Sequence, residues 1–538
     1  MNRKLLTALC AVTAAATLFG CSNGGSSSSA PAPSSSTPAS TAESQPEVVE
    51  TDYPIVKDKL TVSGMLIANG VDVDHPRQTW LKLAEVTNIE VDWDTVEIDA
   101  AATYFATNQY ADLITYNGGI PSSIMSDYGV LGHRFVDFND YLDYMPNLVQ
   151  TLEDYPTAKK VCTETDGGFY QLPYIGNDCT AVNARMYYRI DTLNAAGCEV
   201  PTTTEEFYEV LKKLKDYNDG AAPISEDGLN FIWSSFGPGK APDFEDDGTG
   251  KVIYNRNSDQ YKLYLEYMAR LYKEGLLHQE YLTMDNTVRL PLAQQGLLVF
   301  GNGGVASLSE QDFASGKVEI TQLAPLTSEY DDKREVIGWN YARPCGVMIN
   351  AKSEHIPEIC RMMDVAYATE EVTEGSGLYG ISFVYGMENV HWKWVNDDHT
   401  QYEFILPKEL EGVKAFGTYQ YEDLIYYTIG RFDTFKDATT ATEGNNKARQ
   451  QGFVKNLIPY QEKVAFPGSY LKFTEEEQNV LNSKWTSISE YVTQSMAEFI
   501  AGVRSVDTDW DAYVSQISAM GIDDVLAAYQ AAYDRFNQ

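Results

Sequence analysis

The residues of this sequence with the most to offer chemically are aromatic rings beside planar polar side chains, in segments broken by glycine or proline. Trp233 and Phe236 run into Gly237, Pro238 and Gly239, a stretch that reads as a loop, where packing alone does not account for two large rings. Trp339, Asn340, Tyr341 and Arg343 crowd ahead of the short apolar run Gly346 to Ile349. Tyr116 and Asn117 follow another such run, Asp112 to Thr115, and precede Gly118 and Gly119, which open the backbone amides to close approach. Rings offer flat apolar platforms, and amide or guanidinium groups hydrogen-bond in a plane, so this chemistry suits holding a small ligand.

Patterns that would do more than hold a ligand are missing. No G-x-S-x-G, zinc, phosphate-loop or dinucleotide motif occurs. The 77 acidic residues supply many carboxylate pairs of the kind a glycosidase uses, but abundance singles out none. His75, His133, His278, His355, His391 and His399 show no metal-ligand spacing. Asp243, Glu245, Asp247 and Gly248 open like a calcium loop, yet its twelfth position is Tyr254, where a bidentate Glu is required. A β-turn at Asp247 and Gly248 is expected instead. Trp392 and Trp394 alternate about Lys393 before an acidic turn and read as a hairpin packed on the body of the protein. No catalytic residue, metal or cofactor is expected. The formal charge of -37 argues against nucleic acid or anionic lipid as partner, since both are held by clusters of Lys and Arg.

These side chains need elements to position them. Leu60 to Ile67 reads as a strand, Arg77 to Val86 as a helix and Ile89, Val91 and Trp93 as a half-exposed strand. Asp112 to Thr115 is a third strand, and its carboxyl end is where open α/β sheets bind ligands. Thr203 and Glu206 form a capping box that starts a helix. Helices are also expected from Gln260 to Glu274, His355 to Ala368 and Asn479 to Phe499, with short strands at Leu297 to Phe300, Ile320 to Leu323 and Gly346 to Ile349. Intermixed helices and strands make an α/β protein. Its body of about 490 residues needs more than one core.

The chain opens with Arg3, Lys4 and the apolar run Leu5 to Leu18, then Gly20 and Cys21, an export signal too short to be a confident membrane span. It resembles a bacterial lipoprotein signal, in which the cysteine is acylated and becomes the first residue. From Ser22 to about Thr51 the Ser, Ala, Pro and Thr composition cannot bury a core and reads as a tether. Once Cys10 and Cys21 are set aside, Cys162, Cys179, Cys198, Cys345 and Cys360 remain, an odd number that excludes a complete disulfide framework. One bridge, Cys162 with Cys179, is weighed against buried thiols.

Three sets of residues carry a wider resemblance: Gly168 to Pro173; Arg189 to Leu193 followed by Gly197 and Pro201 to Phe207; and Tyr272 to Leu277. With Asp509 to Val514, Met520, Gly521 and Tyr533 to Phe536, they resemble the extracellular solute-binding proteins of ABC importers, in the large lipoprotein subgroup associated with oligosaccharide uptake. The resemblance implies a periplasmic-binding-protein type II fold, two α/β lobes joined by strands that cross near Leu172 to Asn177 and Trp339 to Ile349. The expected divisions are a signal at 1–20, a tether at 21–52, an N-lobe from 53–175 and 341–400, a C-lobe at 176–340, and a helical segment at 401–538 packing mainly on the C-lobe.

On that reading the ligand-binding candidates are Tyr116, Asn117, Asn177, Asp178, Trp233, Phe236, Trp339 and Arg343. The ligand is a carbohydrate, the partners are the permease subunits of an ABC transporter, and the protein is a monomer held by lipid on the extracytoplasmic face of the cell membrane. A peptide or other small solute is the alternative ligand because the fold is shared, and a glycan hydrolase is a more distant one. Replacing Cys21 with Ala should move the mature protein out of the detergent phase, and mass spectrometry of the membrane fraction should find Cys21 acylated. An unmodified Cys21 there refutes the anchor.

Overall fold

The computed structural model describes residues 53–69, 77–176, 185–225, 229–237, 243–314, 316–338, 342–405, 430–431, 438–441, 444–464 and 466–538. Leu60–Ile67 pairs in parallel with Ile89–Val96 on one side and Leu113–Tyr116 on the other. Val347–Ile349 joins the latter antiparallel and completes a four-stranded sheet. Leu113–Tyr116 is buried along its whole length, as an inner strand covered on both faces must be. The helix Gln78–Thr87 links the first two strands and ends at Asn88, which is left-handed at φ 62°, a conformation Asn tolerates better than most residues. Trp80 from this helix meets Trp93 of the next strand edge-on, with ring centroids 5.0 Å apart.

A second, antiparallel sheet orders Phe300–Gly301, Tyr187–Arg189 and Ile320–Gln322. Around it helices Thr204–Tyr217, Asp259–Lys273, Thr486–Ile500, Val506–Ala519 and Ile522–Asn537 enclose the largest core. That core draws on residues between Met186 and Val336 and again between Phe453 and Ala528. A separate core draws on residues between Ile55 and Ile175 and between Ala342 and Ala438. The result is a two-lobed mixed α/β molecule whose chain passes between the lobes more than once.

The expected elements form with instructive differences. Thr203 caps its helix by accepting from the Glu206 N–H at 3.1 Å, but the Glu206 carboxylate accepts from Thr202, from its N–H and its hydroxyl at 2.8 Å each, and not from the cap residue. Asp243, Glu245 and Asp247 serve a hairpin of Phe244–Asp246 and Val252–Tyr254. Asp243 pairs with Arg256 at 2.6 Å, Glu245 accepts from Asn255, and Asp247 accepts from the Thr249 N–H in the turn. Trp392–Trp394 and Gln401–Phe404 make the expected hairpin, with Trp392 fully buried. Leu229–Trp233, read as loop, is a short helix. Cys162 is a free thiol and buried, as are Cys198, Cys345 and Cys360; Cys179 lies outside the described residues. No helix of the described residues is long and apolar enough to cross a membrane.

Asp364 is wholly buried and accepts from the N–H groups of Asn147 and Leu148 and from the Asn147 side chain, at 3.2, 2.8 and 2.8 Å. It thereby caps the helix Pro146–Asp154 from a distant part of the chain. Burial pushes its carboxyl up from 3.8 to about 6, against these hydrogen bonds and Arg361. The native state therefore holds this proton more tightly than the unfolded chain, so the group's contribution to stability falls as pH rises from 3.8 to about 6. Denaturant unfolding over that range should show a shallower fall, or none, for Asp364→Asn, which does not titrate. An unchanged slope refutes the assignment.

Candidate ligand-binding site at the chain crossing

Where the chain leaves the smaller core for the larger one lies a sheet of three short strands, with Pro173–Ile175 in the middle. Ala342–Pro344 lies antiparallel on one edge, with Arg343 opposite Tyr174, and Gly430–Arg431 lies parallel on the other. Pro173 faces Pro344, so neither strand has an N–H to donate at that step. The ladder resumes where the Leu172 N–H donates to Val347 O at 3.0 Å and the Cys345 N–H to Leu172 O at 3.2 Å. Tyr367, wholly buried, donates its hydroxyl to Pro173 O at 2.6 Å.

The turn after Leu113–Tyr116 meets this crossing. The Tyr116 N–H donates to Gly346 O at 2.8 Å and the Asn117 N–H to Ile67 O at 2.9 Å. Gly118 and Gly119 have φ of 86° and 93°, values that nearly any side chain would strain. A Cβ on Gly118 would meet nothing within 4 Å, and one on Gly119 would lie 3.8 Å from Pro344 O. The turn therefore presents open backbone beside the crossing strand. Burial raises the Tyr116 hydroxyl above its ordinary value of 10.0, with Asp99 adding to it, so it stays a neutral donor at physiological pH. The Arg343 guanidinium sits over the Tyr174 ring, 4.7 Å from its centroid, close enough for a cation–π contact that also orients the fork.

Of the residues expected at the site, the fold brings together Tyr116, Asn117 and Arg343; the Tyr116 ring itself is 5% exposed and packs in a small core with Ile67 and Phe105. Asn177, Asp178 and Trp339 lie outside the described residues. Trp233 and Phe236 lie in the larger core. Trp233 has no exposed surface and packs against Tyr261 and Tyr264 at 5.5 and 5.6 Å, so neither face of the indole is open in this conformation. Phe236 is nearly as enclosed, among Tyr264, Tyr267 and Tyr330. Trp233 Nε1 and Ser235 Oγ are buried without hydrogen-bond partners among the described residues, an uncommon state.

Sequence reasoning passed over three residues at the crossing: Tyr174, Gly346 and Gln171. Gln171 is 2% exposed, and its Oε1 has no hydrogen-bond partner among the described residues. The signal for it was its place in the stretch from Gly168 to Pro173. An open groove of about 1230 Å³ is lined by Arg270, Lys273, His278, Arg504 and others on the helices of the larger lobe. It contains none of these residues. Convergence of open backbone and a stacked guanidinium favours the crossing, because volume alone selects no chemistry.

Residues 76–373 match a family model described as "Bacterial extracellular solute-binding protein". The chain is 24% identical over 516 residues, 89% of its own length and 91% of the relative's, to the "Fructooligosaccharide ABC transporter substrate-binding protein FusA" of Streptococcus pneumoniae. It is 28% identical to "Lipoprotein LipO" of Bacillus subtilis over 164 residues, 28% of this chain and 31% of that one. Among solved structures it resembles FusA in complex with kestose, with TM-score 0.64, 20% identity, and coverage of 89% of this chain and 99% of that one. It also resembles an "HMO binding ABC-transporter associated Solute Binding Protein" of Bifidobacterium longum infantis, with TM-score 0.66, 19% identity and the same coverage.

Gly346 has φ 71°, and a Cβ there would come within 2.7 Å of Tyr116 O and 3.2 Å of Gly119 Cα. Gly346→Ala should cost about 1 to 3 kcal/mol in strain and displace the turn that Tyr116 begins. Calorimetric titration should show the variant losing affinity even at temperatures where circular dichroism shows it folded. Parental affinity in the folded variant would remove the turn from the site.

Proposed function

This chain belongs to the bacterial extracellular solute-binding proteins, and we propose that it is the substrate-binding subunit of an ABC importer, capturing a carbohydrate of oligosaccharide size for its permease. The observation that carries this reading is the similarity to the fructooligosaccharide-binding FusA along nearly the whole of both chains. The geometry fits it. A ligand held between lobes that swing about the Pro173–Ile175 sheet touches both at once, so binding favours the closed form by its difference in affinity for the two states. The protein holds its ligand and catalyses no reaction; it acts as a monomer, anchored through Cys21 on the extracytoplasmic face of the membrane. The likeness to a relative named as a lipoprotein supports the anchor.

Within this proposal Tyr116, Asn117 and Arg343 contact the ligand, Arg343 by the planar fork that Tyr174 orients. Asn177, Asp178 and Trp339 complete the set on the strength of the family's crossing alone. Trp233 and Phe236 join it only through a rearrangement that opens a ring face.

Small-angle scattering should show the protein becoming more compact at saturating kestose, and an unchanged curve with bound sugar contradicts closure. Arg343→Ala should weaken kestose binding about tenfold, the equivalent of about 1.4 kcal/mol, while melting close to the parent. Trp233→Ala should behave in the opposite way, losing about 3 to 5 kcal/mol of stability as buried tryptophans do. Calorimetric titration and thermal unfolding of both variants separate the roles. If Arg343→Ala binds like the parent, the crossing is not the site.

A further inference from the structure

We propose that the cavity between the helix Thr157–Cys162 and the end of the helix Ile522–Asn537 is a second ligand site, for a small organic anion, built across the two lobes. The cavity is about 350 Å³, the size of a small-molecule pocket. It shares no residue with the turn at Tyr116 or with Arg343.

Four cations line it. Lys159 and Lys160 come from the smaller lobe, and Lys472 and Arg535 from the C-terminal segment; Glu164 is the one side-chain carboxylate in the lining. The chain carries 77 acidic residues against 40 basic ones, so a concentration of positive charge runs against its composition. Two of these cations are held in place by acids. Lys472 Nζ is 2.7 Å from the Glu164 carboxylate, and Arg535 donates to Glu477 at 2.8 Å and to Lys472 O at 2.7 Å. Lys159 and Lys160 have no carboxylate in ion-pair range among the described residues, and Lys160 Nζ lies 5.9 Å from the Phe536 ring. Placement in the last turn of a helix favours two lysines through the helix dipole. It does not explain why Lys472 and Arg535 converge on the same cavity from another part of the chain.

The walls define the ligand. Lysine and arginine form their strongest hydrogen bonds to carboxylate or phosphate oxygens, while Pro156, Ala532 and Phe536 add an apolar surface. A compact carboxylate-bearing solute satisfies both. The position also has a consequence for motion. The helix Ile522–Asn537 buries Val525 and Ala528 in the larger core, while Phe536 packs against the core of the other lobe. The helix Thr157–Cys162 packs directly on the crossing strands Pro173–Ile175 and Ala342–Pro344. An anion bridging Lys159 and Lys160 to Lys472 and Arg535 would tie the C-terminal helix to the hinge and bias the balance between open and closed forms.

The test uses the full-length protein with no sugar present, so its outcome does not depend on the carbohydrate reading. Calorimetric titration with citrate at fixed ionic strength should give saturable binding at one site. The Lys159→Gln/Lys160→Gln variant should bind citrate at least about tenfold more weakly, as the loss of two charge-assisted contacts requires. Its melting temperature without citrate should stay close to the parent's, because half-buried lysines replaced by another good helix former of similar reach cost little. Absence of saturable citrate binding, binding retained by the double variant, or a response that sodium chloride reproduces overturns the proposal.

Discussion

The placement of the candidate site depends on the backbone of Pro173–Ile175, which lies just before the chain leaves the smaller core for the larger one. It is hydrogen-bonded along both edges, to Ala342–Pro344 and to Gly430–Arg431. Three strands bound to one another hold their register better than three independent segments, although the facing prolines interrupt one ladder. The third strand is anchored in turn. The Arg431 guanidinium, 8% exposed overall, pairs with Asp154 at 2.7 Å and stacks over Tyr155. Gly430 has φ 125° and no room for a Cβ, which would fall 3.0 Å from Gly380 O. A side chain there would push the strand off its neighbours.

The candidate site inherits its geometry from this sheet. The turn at Tyr116 lies where it does because its strand is hydrogen-bonded to Val347–Ile349, and that strand follows the crossing strand after only two residues. Arg343 is placed by the same short connection. The turn at Tyr116 and Arg343 are therefore fixed relative to each other before any ligand arrives, and such preorganisation favours affinity.

Gln171 beside the crossing and Trp233 and Ser235 in the larger lobe each bury a polar atom that finds no partner among the described residues. Asp364 shows the opposite case. It is just as buried, but three N–H donors converge on it, and it joins a helix to a segment more than two hundred residues away.

Much of the organisation was legible in local chemistry. Leu60–Ile67 is recognisable from its β-branched and apolar run, Trp392–Trp394 from its period of two, and the helix at Thr204 from its cap, because each signal lies within a few residues and each periodicity reports a buried face. The turn at Tyr116 was legible for the same reason, since glycines at a strand's carboxyl end have few other uses. The tertiary structure decided what depends on distant neighbours. Trp233 stands in a loop-like sequence, yet Tyr261 and Tyr264, nearly thirty residues on, close over it. The Glu206 carboxylate turned to Thr202, one residue beyond the expected partner, for the sake of a second donor. The stacking of Arg343 on Tyr174, and the meeting of Lys159 and Lys160 with Lys472 and Arg535, join residues between about 170 and 370 positions apart. No local pattern encodes such pairs, because they exist only once the chain has crossed between its lobes and returned.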